Sequence, residues 1–416
     1  MSNAAASLSL STYLRMGWRN LMRNPRRTLL TLSSLIVGIG SLTLLGALVD
    51  GWMVDMRDNF VLTQSGHLQI HQAGFEQERQ IKDFIPDPAP IDAVLRDQPN
   101  IRAWTHRIRA SGLASVAGAS TGAEIVGIQP EQEGQTSRLR SFLHQGVWLD
   151  PNDPRGLLLG IRLAENLGIE IGDKVVLMTQ APNGEIVSEL FRLRGILRAA
   201  AQEVDATLAL INLTTAQRWI GLGNGVTDVV VRMQVHGQEQ ALQAAITPIL
   251  GPQREVMLWW EIDPLVKQWV ELGDVSNYVI LVIVVVVVLA QILNTMLMAL
   301  MERVREFGLM EALGTGKRQL FTMVLWESVV LVMTGSLIGW GIGLGWVIYL
   351  QVDGIDLSAF ADSLAFVYMS PVMKPILTLK TEVLILTTSF LAALIAGLYP
   401  AWKATRLQPV EAMREV

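Results

Sequence analysis

Four runs of the chain, residues 29–49, 275–301, 328–352 and 383–402, contain no Asp, Glu, Lys, Arg or His. About 20 apolar residues in a helix match the roughly 30 Å hydrocarbon core of a bilayer. The pattern therefore predicts four membrane-spanning helices. Ahead of the first run, residues 1–28 mix Leu8, Leu10, Tyr13, Leu14, Trp18, Leu21 and Met22 with Arg15, Arg19, Arg23, Arg26 and Arg27. That composition predicts an amphipathic helix lying at the membrane surface. The first run exceeds a signal-peptide core, and no small-residue cleavage pattern follows it, so it is expected to remain as an anchor.

Between the first and second runs the pattern changes. His67-Leu68-Gln69-Ile70-His71 alternates with a period of two, as in a strand with one wet face. FIPDPAPIDAVL breaks the chain at its prolines and then starts a helix with Asp92 early in it. SGLASVAGASTGAEIVGIQP reads as short strands separated by glycine turns. A turn at Asp150-Pro151-Asn152-Asp153-Pro154 leads to a buried strand at 157–159, a helix at 162–167 ended by Gly168, and a hairpin turn at Gly172-Asp173. A second hairpin at Asn183-Gly184 is followed by strands in FRLRGIL, ATLALINL and VTDVVVRMQV, with a helix at 214–220. The predicted fold class is an α-helical membrane protein with four transmembrane helices plus a large α+β extracytoplasmic domain between helices 1 and 2.

Charge sets the orientation. Beside the arginines of the N-terminal segment, Arg303, Arg305, Lys317 and Arg318 lie in the short connection after the second run, and Lys403, Arg406 and Arg414 follow the fourth. Basic residues near span ends stay in the cytoplasm, so both termini and the central loop are placed there. The resulting plan is an interfacial helix over 1–28, transmembrane helix 1 over 29–50, the external domain over 51–272, and a stalk end with helix 2 over 273–301. A cytoplasmic coupling segment over 302–318, helix 3 over 319–352, a short external loop over 353–382, helix 4 over 383–402 and a cytoplasmic tail over 403–416 complete it. The net charge of −5 reflects acids of the external domain, which argues against a nucleic-acid partner. The chain has no cysteine, which excludes disulfides, iron–sulfur clusters and thiol catalysis.

Candidate functional residues concentrate in MERVREFGLMEALGTGKRQL, residues 301–320. Helical spacing puts Phe307, Met310 and Glu311 on one side, among the charges of Glu302, Arg303, Arg305 and Glu306. Such a face suits docking into a protein groove, and a solvated turn is the other reading. Gly314-Thr315-Gly316-Lys317-Arg318 imitates a phosphate loop but lacks the Gly at 311 and the Ser or Thr at 318 that the motif needs. Neither a nucleotide site nor a cofactor motif is therefore expected in this chain, and no catalytic set of side chains is legible. Glu327 is an acid near a span, read either as a carboxylate bridging to a neighbour or as a proton relay. Gln291, Asn294 and Thr295 are polar groups expected to hydrogen-bond across a packed helix pair, and Gly335, Gly339 and Gly343, at every fourth position, are expected to let another helix approach closely. Trp259, Trp260 and Trp269 precede the second run, either as an interfacial aromatic belt or as a stalk that contacts the domain or an amphiphilic cargo. His67 and His71 share a strand face without a third ligand at metal-site spacing, so no metal is expected. Asp150, Asp153 and Asp173 read as turn formers.

The 301–320 stretch resembles the cytoplasmic loop of the permeases that pair with ATP-binding cassette subunits in the superfamily of macrolide exporters, lipoprotein-releasing permeases and FtsX-like proteins. Its pattern, E-R-x-R-E-x-G-x-x-x-A-L-G, falls on Glu302, Arg303, Arg305, Glu306, Gly308, Ala312, Leu313 and Gly314. RNLMRNPRRTLLTLSSLIVGIG resembles that family's first span, YPAWKATRLQPVEAMR its C-terminal end, and GVWLDPNDPRGLLLGIRLAENLGIEIGDKVVLM its periplasmic domain. LWWEIDPLVKQW before the second span looks most like the lipoprotein-releasing members. The resemblance implies a bacterial inner-membrane permease that is not itself an enzyme. It also implies a dimer with itself or a paralogue, two ATPase subunits carrying ATP and magnesium, and contacts with lipids and a periplasmic chaperone or adaptor. Glu302, Arg303, Arg305, Glu306, Phe307, Met310, Glu311 and Gly314 would then couple to the ATPase. The implied function is extraction or export of a lipoprotein, lipid or other amphiphile, the alternative being FtsX-like signalling to a periplasmic partner without transport.

Overall fold

The computed structural model describes residues 19, 25–78, 80–199, 202–365 and 368–406. Most of the expected surface helix over 1–28 and the end of the tail over 403–416 lie outside these residues. The chain forms two compact units. One comprises the described parts of Met1–Trp52, Glu271–Ile355 and Met373–Val416, the other Met53–Val270 and Asp356–Val372. The first helix, α1, is Pro25–Phe60, with Pro25 at a position where a missing amide costs nothing. It runs past the end of the uncharged stretch to Phe60, and at Gly51 a side chain would collide with the Lys374 carbonyl. A π-turn, Val61–Ser65, follows it.

The second unit holds strands β1 (Leu68–Gln72), β2 (Ile101–Val116), β3 (Ala119–Ile128), β4 (Leu143–Gly146), β5 (Gly156–Gly160), β6 (Lys174–Gln180), β7 (Ile186–Leu197), β8 (Leu208–Asn212), β9 (Asp228–Met233) and β10 (Arg254–Leu258). Between them lie helices α2 (Ala89–Arg96), α3 (Pro130–Thr136), α4 (Ile161–Leu167), α5 (Leu213–Ile220), α6 (Glu239–Leu250) and α7 (Trp259–Ile262). The strand order is β10-β1-β9-β2-β3-β8-β5-β7-β4, and β6 joins β2 to β7. That extra pairing closes β2, β3, β8, β5, β7 and β6 into a ring, while β10, β1 and β9 extend from the other half of β2. Pairing is mostly antiparallel, with β3–β8 and β5–β7 parallel. The buried strand and its helix occur where the sequence placed them, and Gly168 ends α4 at φ +66°.

Two expectations are corrected. The stretch read as short strands at glycine turns is two long strands with one turn, at Gly118. Gly112 lies inside β2, where a side chain would overlap the Met178 carbonyl of β6. Strand β1, expected to have a wet face, is buried on both. It is paired on each side, by β10 and β9. Of its polar side chains, Gln69 donates to the Gln64 carbonyl of the π-turn and His71 Nε2 meets Gln69 Oε1 at 2.9 Å. Part of the expected 353–382 loop belongs to this unit. Tyr368 packs edge-on against Phe60 at 5.4 Å, and Asn59 donates to the Tyr368 carbonyl.

The first unit adds α8 (Pro264–Glu302, shared with the second), α9 (Val304–Ala312), α10 (Lys317–Asp353) and α11 (Leu379–Ala404). Together with the helix that begins at Thr28, α8, α10 and α11 are long and apolar enough to cross a membrane. Helix α8 starts at Pro264, and the Asp263 carboxylate accepts from the amides of Leu265 and Val266, which caps its N-terminus.

Candidate functional site

The candidate site is built at one break in the helical chain. Helix α8 stops at Glu302 because Arg303 takes φ −116° and ψ 13°, and α9 begins at the next residue. The Arg303 guanidinium then makes three contacts. It donates to Glu306 Oε2 at 3.1 Å and to Glu327 Oε2 on α10 at 3.1 Å, and it lies 5.2 Å from the centre of the Phe307 ring. Glu327 is buried, so this ion pair is shielded from solvent and locks the α8–α9 junction to α10. Leaving either charge alone there would cost about 3–5 kcal/mol, whereas replacing both by apolar groups costs far less. Of the two sequence readings of Glu327, the bridge to a neighbour has its partner in Arg303.

Apolar packing holds the same junction. Phe307 is buried in a cluster with Ile292, Met296 and Leu300 of α8 and Leu320 and Val324 of α10, and Met310 packs against it. Helix α9 ends in a Schellman motif, the amide of Thr315 reaching the Met310 carbonyl and that of Gly314 the Glu311 carbonyl. Gly314 has φ +95°, which suits glycine alone at low cost. The Gln319 side chain accepts from the Gly316 amide to start α10, and Lys317 stands 3.8 Å from Glu311.

This geometry changes which side of α9 is presented. The face expected on Phe307 and Met310 is turned inward, because those side chains fill the gap between α8 and α10. Outward lie Arg305, Leu309 and Leu313, at i, i+4 and i+8, with Glu302 just before them. Leu309 and Leu313 are 56% and 80% exposed. The family pattern includes Leu313, whereas the spacing argument favours Phe307 and Met310; two leucines in a charged loop were the remaining signal.

The remaining candidates separate. Gly335, Gly339 and Gly343 all face α1: a side chain at Gly339 would lie 2.7 Å from the Ile36 carbonyl oxygen, and one at Gly343 2.7 Å from Thr43 Cβ. Asn294 is exposed on α8, and its neighbour Thr295 is the residue that reaches another helix, 3.1 Å from Thr31 of α1. Trp259 is buried with Phe60, Val61, Leu62 and Val266, Trp260 stacks edge-on against it at 5.4 Å, and Trp269 is half exposed. Trp269 is the most exposed of the three. Asp150, Asp153 and Asp173 each accept a backbone amide within their own turns. His67 and His71 point to different partners: His71 lies 3.5 Å from Asp228, while His67 meets His236.

Both halves of the chain match described families. Residues 28–249, more than half of the chain, match the MacB-like periplasmic core domain. Residues 278–409, which include the whole α8–α10 junction, match the FtsX-like permease C-terminal family. The chain belongs to the MacB- and FtsX-type family of ABC transporter permeases. Among characterised relatives, the permease is 23% identical over 405 residues to the lipoprotein-releasing system transmembrane protein LolC of Neisseria meningitidis, covering 93% of this chain and 94% of that one. It is 22% identical over 339 residues to the lipoprotein-releasing system transmembrane protein LolE of Haemophilus influenzae, covering 78% and 80%. With the macrolide export ATP-binding/permease protein MacB of Burkholderia thailandensis it shares 22% identity over 415 residues, covering 96% of the permease and 59% of that chain.

Proposed function

We propose that this permease is the membrane subunit of a bacterial inner-membrane complex in which separate ATPase subunits, carrying ATP and magnesium, dock on the outward face of α9. Arg305, Leu309 and Leu313 make the contact, and Arg303 and Glu327 turn a push on α9 into movement of α8 and α10. The observation that carries the reading is the buried Arg303–Glu327 pair at the helix break, inside the segment that matches the FtsX-like family. A charge pair that costs stability to bury is well used as a two-position latch. Helix α8 is unbroken over its 39 residues, about 58 Å at 1.5 Å per residue, and so can carry displacement from the cytoplasmic end into the stretch before residue 272. In this reading residues 51–272 are the periplasmic domain between the first two membrane helices. The complex holds two permeases and two ATPases, and its cargo is a lipoprotein, lipid or other amphiphile handled outside the membrane.

The test co-expresses the permease with a stand-alone ATP-binding cassette subunit from the same genome. Leu309→Asp with Leu313→Asp should abolish ATPase co-purification while leaving permease yield and Tm unchanged, and retained association would overturn the docking face. Cargo is tested with a photo-crosslinker at Trp269 in the active complex. Capture of a lipid-modified protein or lipid supports transport, while exclusive capture of a periplasmic protein without lipid would instead favour signal transmission.

A further inference from the structure

In the second unit three side chains distant in sequence converge at the entry to β1. His67 precedes β1, His236 lies in the turn after β9, and Glu239 opens α6; each brings one ligand atom within 4.8 Å of the others. His67 Nε2 is 3.1 Å from His236 Nδ1, and His236 Nδ1 is 3.6 Å from Glu239 Oε1. Ligands about 2.0–2.1 Å from a tetrahedral zinc ion stand about 3.3–3.4 Å apart. The two observed spacings bracket that edge. We propose that His67, His236 and Glu239 form a binding site for a divalent transition-metal ion of the zinc class.

The donor atoms suit the role, since the neutral imidazole and the carboxylate are the forms that bind a metal. The Gly237 amide donates to Glu239 Oε2 at 2.7 Å, which leaves Oε1 for the ion. Two imidazoles and one carboxylate select zinc-like ions over magnesium or calcium, which prefer all-oxygen cages.

The surroundings set access and strength. The His236 side chain is 40% exposed, so an ion and a completing water can enter from solvent. Asp58 Oδ1 stands 3.7 Å from His236 Nε2, where a carboxylate orients a metal-bound imidazole. His67 lacks such support, since its Nδ1 accepts from the Met233 amide at 3.4 Å. Binding through Nε2 moves the proton to Nδ1 and loses that contact. A missing outer partner weakens metal sites by about 10–100-fold, so the affinity falls below that of a fully supported zinc site. A bound ion would tie together β1, the turn after β9 and the start of α6.

The experiment titrates the full-length, tag-free permease in detergent with cobalt(II), then displaces it with zinc. The wild type should show the visible absorption of tetrahedral cobalt, saturating at one ion per chain, and zinc should raise Tm. His236→Ala, at an exposed position that folding tolerates, and Glu239→Gln should each weaken binding at least tenfold. Absence of saturable cobalt binding in the wild type, or wild-type affinity in both variants, would overturn the proposal.

Discussion

Arg303 shows how one side chain can hold a junction that backbone propensity alone would not. Its guanidinium serves Glu306, Glu327 and the Phe307 ring at once, so the three contacts restrain one long side chain and share its entropy cost. Arg303→Ala is expected to destabilise the permease by about 3 kcal/mol, the low end of the range for a broken buried pair, because Arg303 keeps some exposure. Arg303→Met with Glu327→Leu should recover most of that stability yet remain uncoupled, measured as Tm in detergent against cargo-stimulated ATPase activity; full coupling in the double variant would refute the latch. Two buried titratable groups make opposite contributions to pH dependence. Burial lowers the His67 pKa in the fold to about 4 from the ordinary 6.5. Its stabilising effect is complete above 6.5 and lost as pH falls toward 4, because the unfolded ring takes up the proton first. Asp205, raised chiefly by burial to about 6 from 3.8, costs stability as pH rises from 4 to 6. The His67 shift is worth about 3 kcal/mol, and the Asp205 shift less, because solvent screens a partly exposed carboxylate. Asp205→Asn, which retains an oxygen for the Ala199 amide, should therefore raise Tm above pH 6 and leave a profile that climbs steadily from pH 4 to 6.5.

Among the elements, α10 and α1 depend on having almost nothing between them. Without a hydrophobic driving force in lipid, two helices gain by close van der Waals contact, which small residues permit. Gly339 allows α10 to approach within touching distance of the α1 backbone. Gly339→Leu should separate the pair and cost about 1–3 kcal/mol, read as lower Tm and readier proteolysis, whereas Gly341→Leu, where added bulk meets open space, should be silent. Equal effects of the two substitutions would show that the spacing has no bearing on the contact. Helix α9 makes the complementary point. Its apolar residues read correctly as a face, but the direction of that face depended on α8 and α10, whose cores claim Phe307 and Met310 and leave Leu309 and Leu313 outside.

At the scale of the whole molecule, the two units draw on different physics. The membrane unit is specified by uninterrupted apolar length, which is local and readable. The other unit is a ring of strands closed where β6 pairs with β2, with Gly112 opposite Thr179, a pairing between residues far apart in the chain. The proposed docking of an ATPase and the proposed capture of cargo belong to the assembled complex, and the Leu309/Leu313 and Trp269 experiments test them at that level. The buried location of Trp259 directs the cargo probe to Trp269.

Sequence by itself determined the four spans, the charged break between the second and third, the glycine-punctuated turns at Gly168 and Gly184, and the family pattern from Glu302 to Gly314. All of these are local signals: apolar length, φ > 0 positions and residue spacing. Tertiary structure alone decided that β1 has no wet face, that Glu327 finds Arg303, that Asn294 points outward while Thr295 bridges to α1, and that His67 meets His236 and Glu239. Those outcomes depend on which distant element covers a given face, and a one-dimensional pattern records the face but not what lies against it.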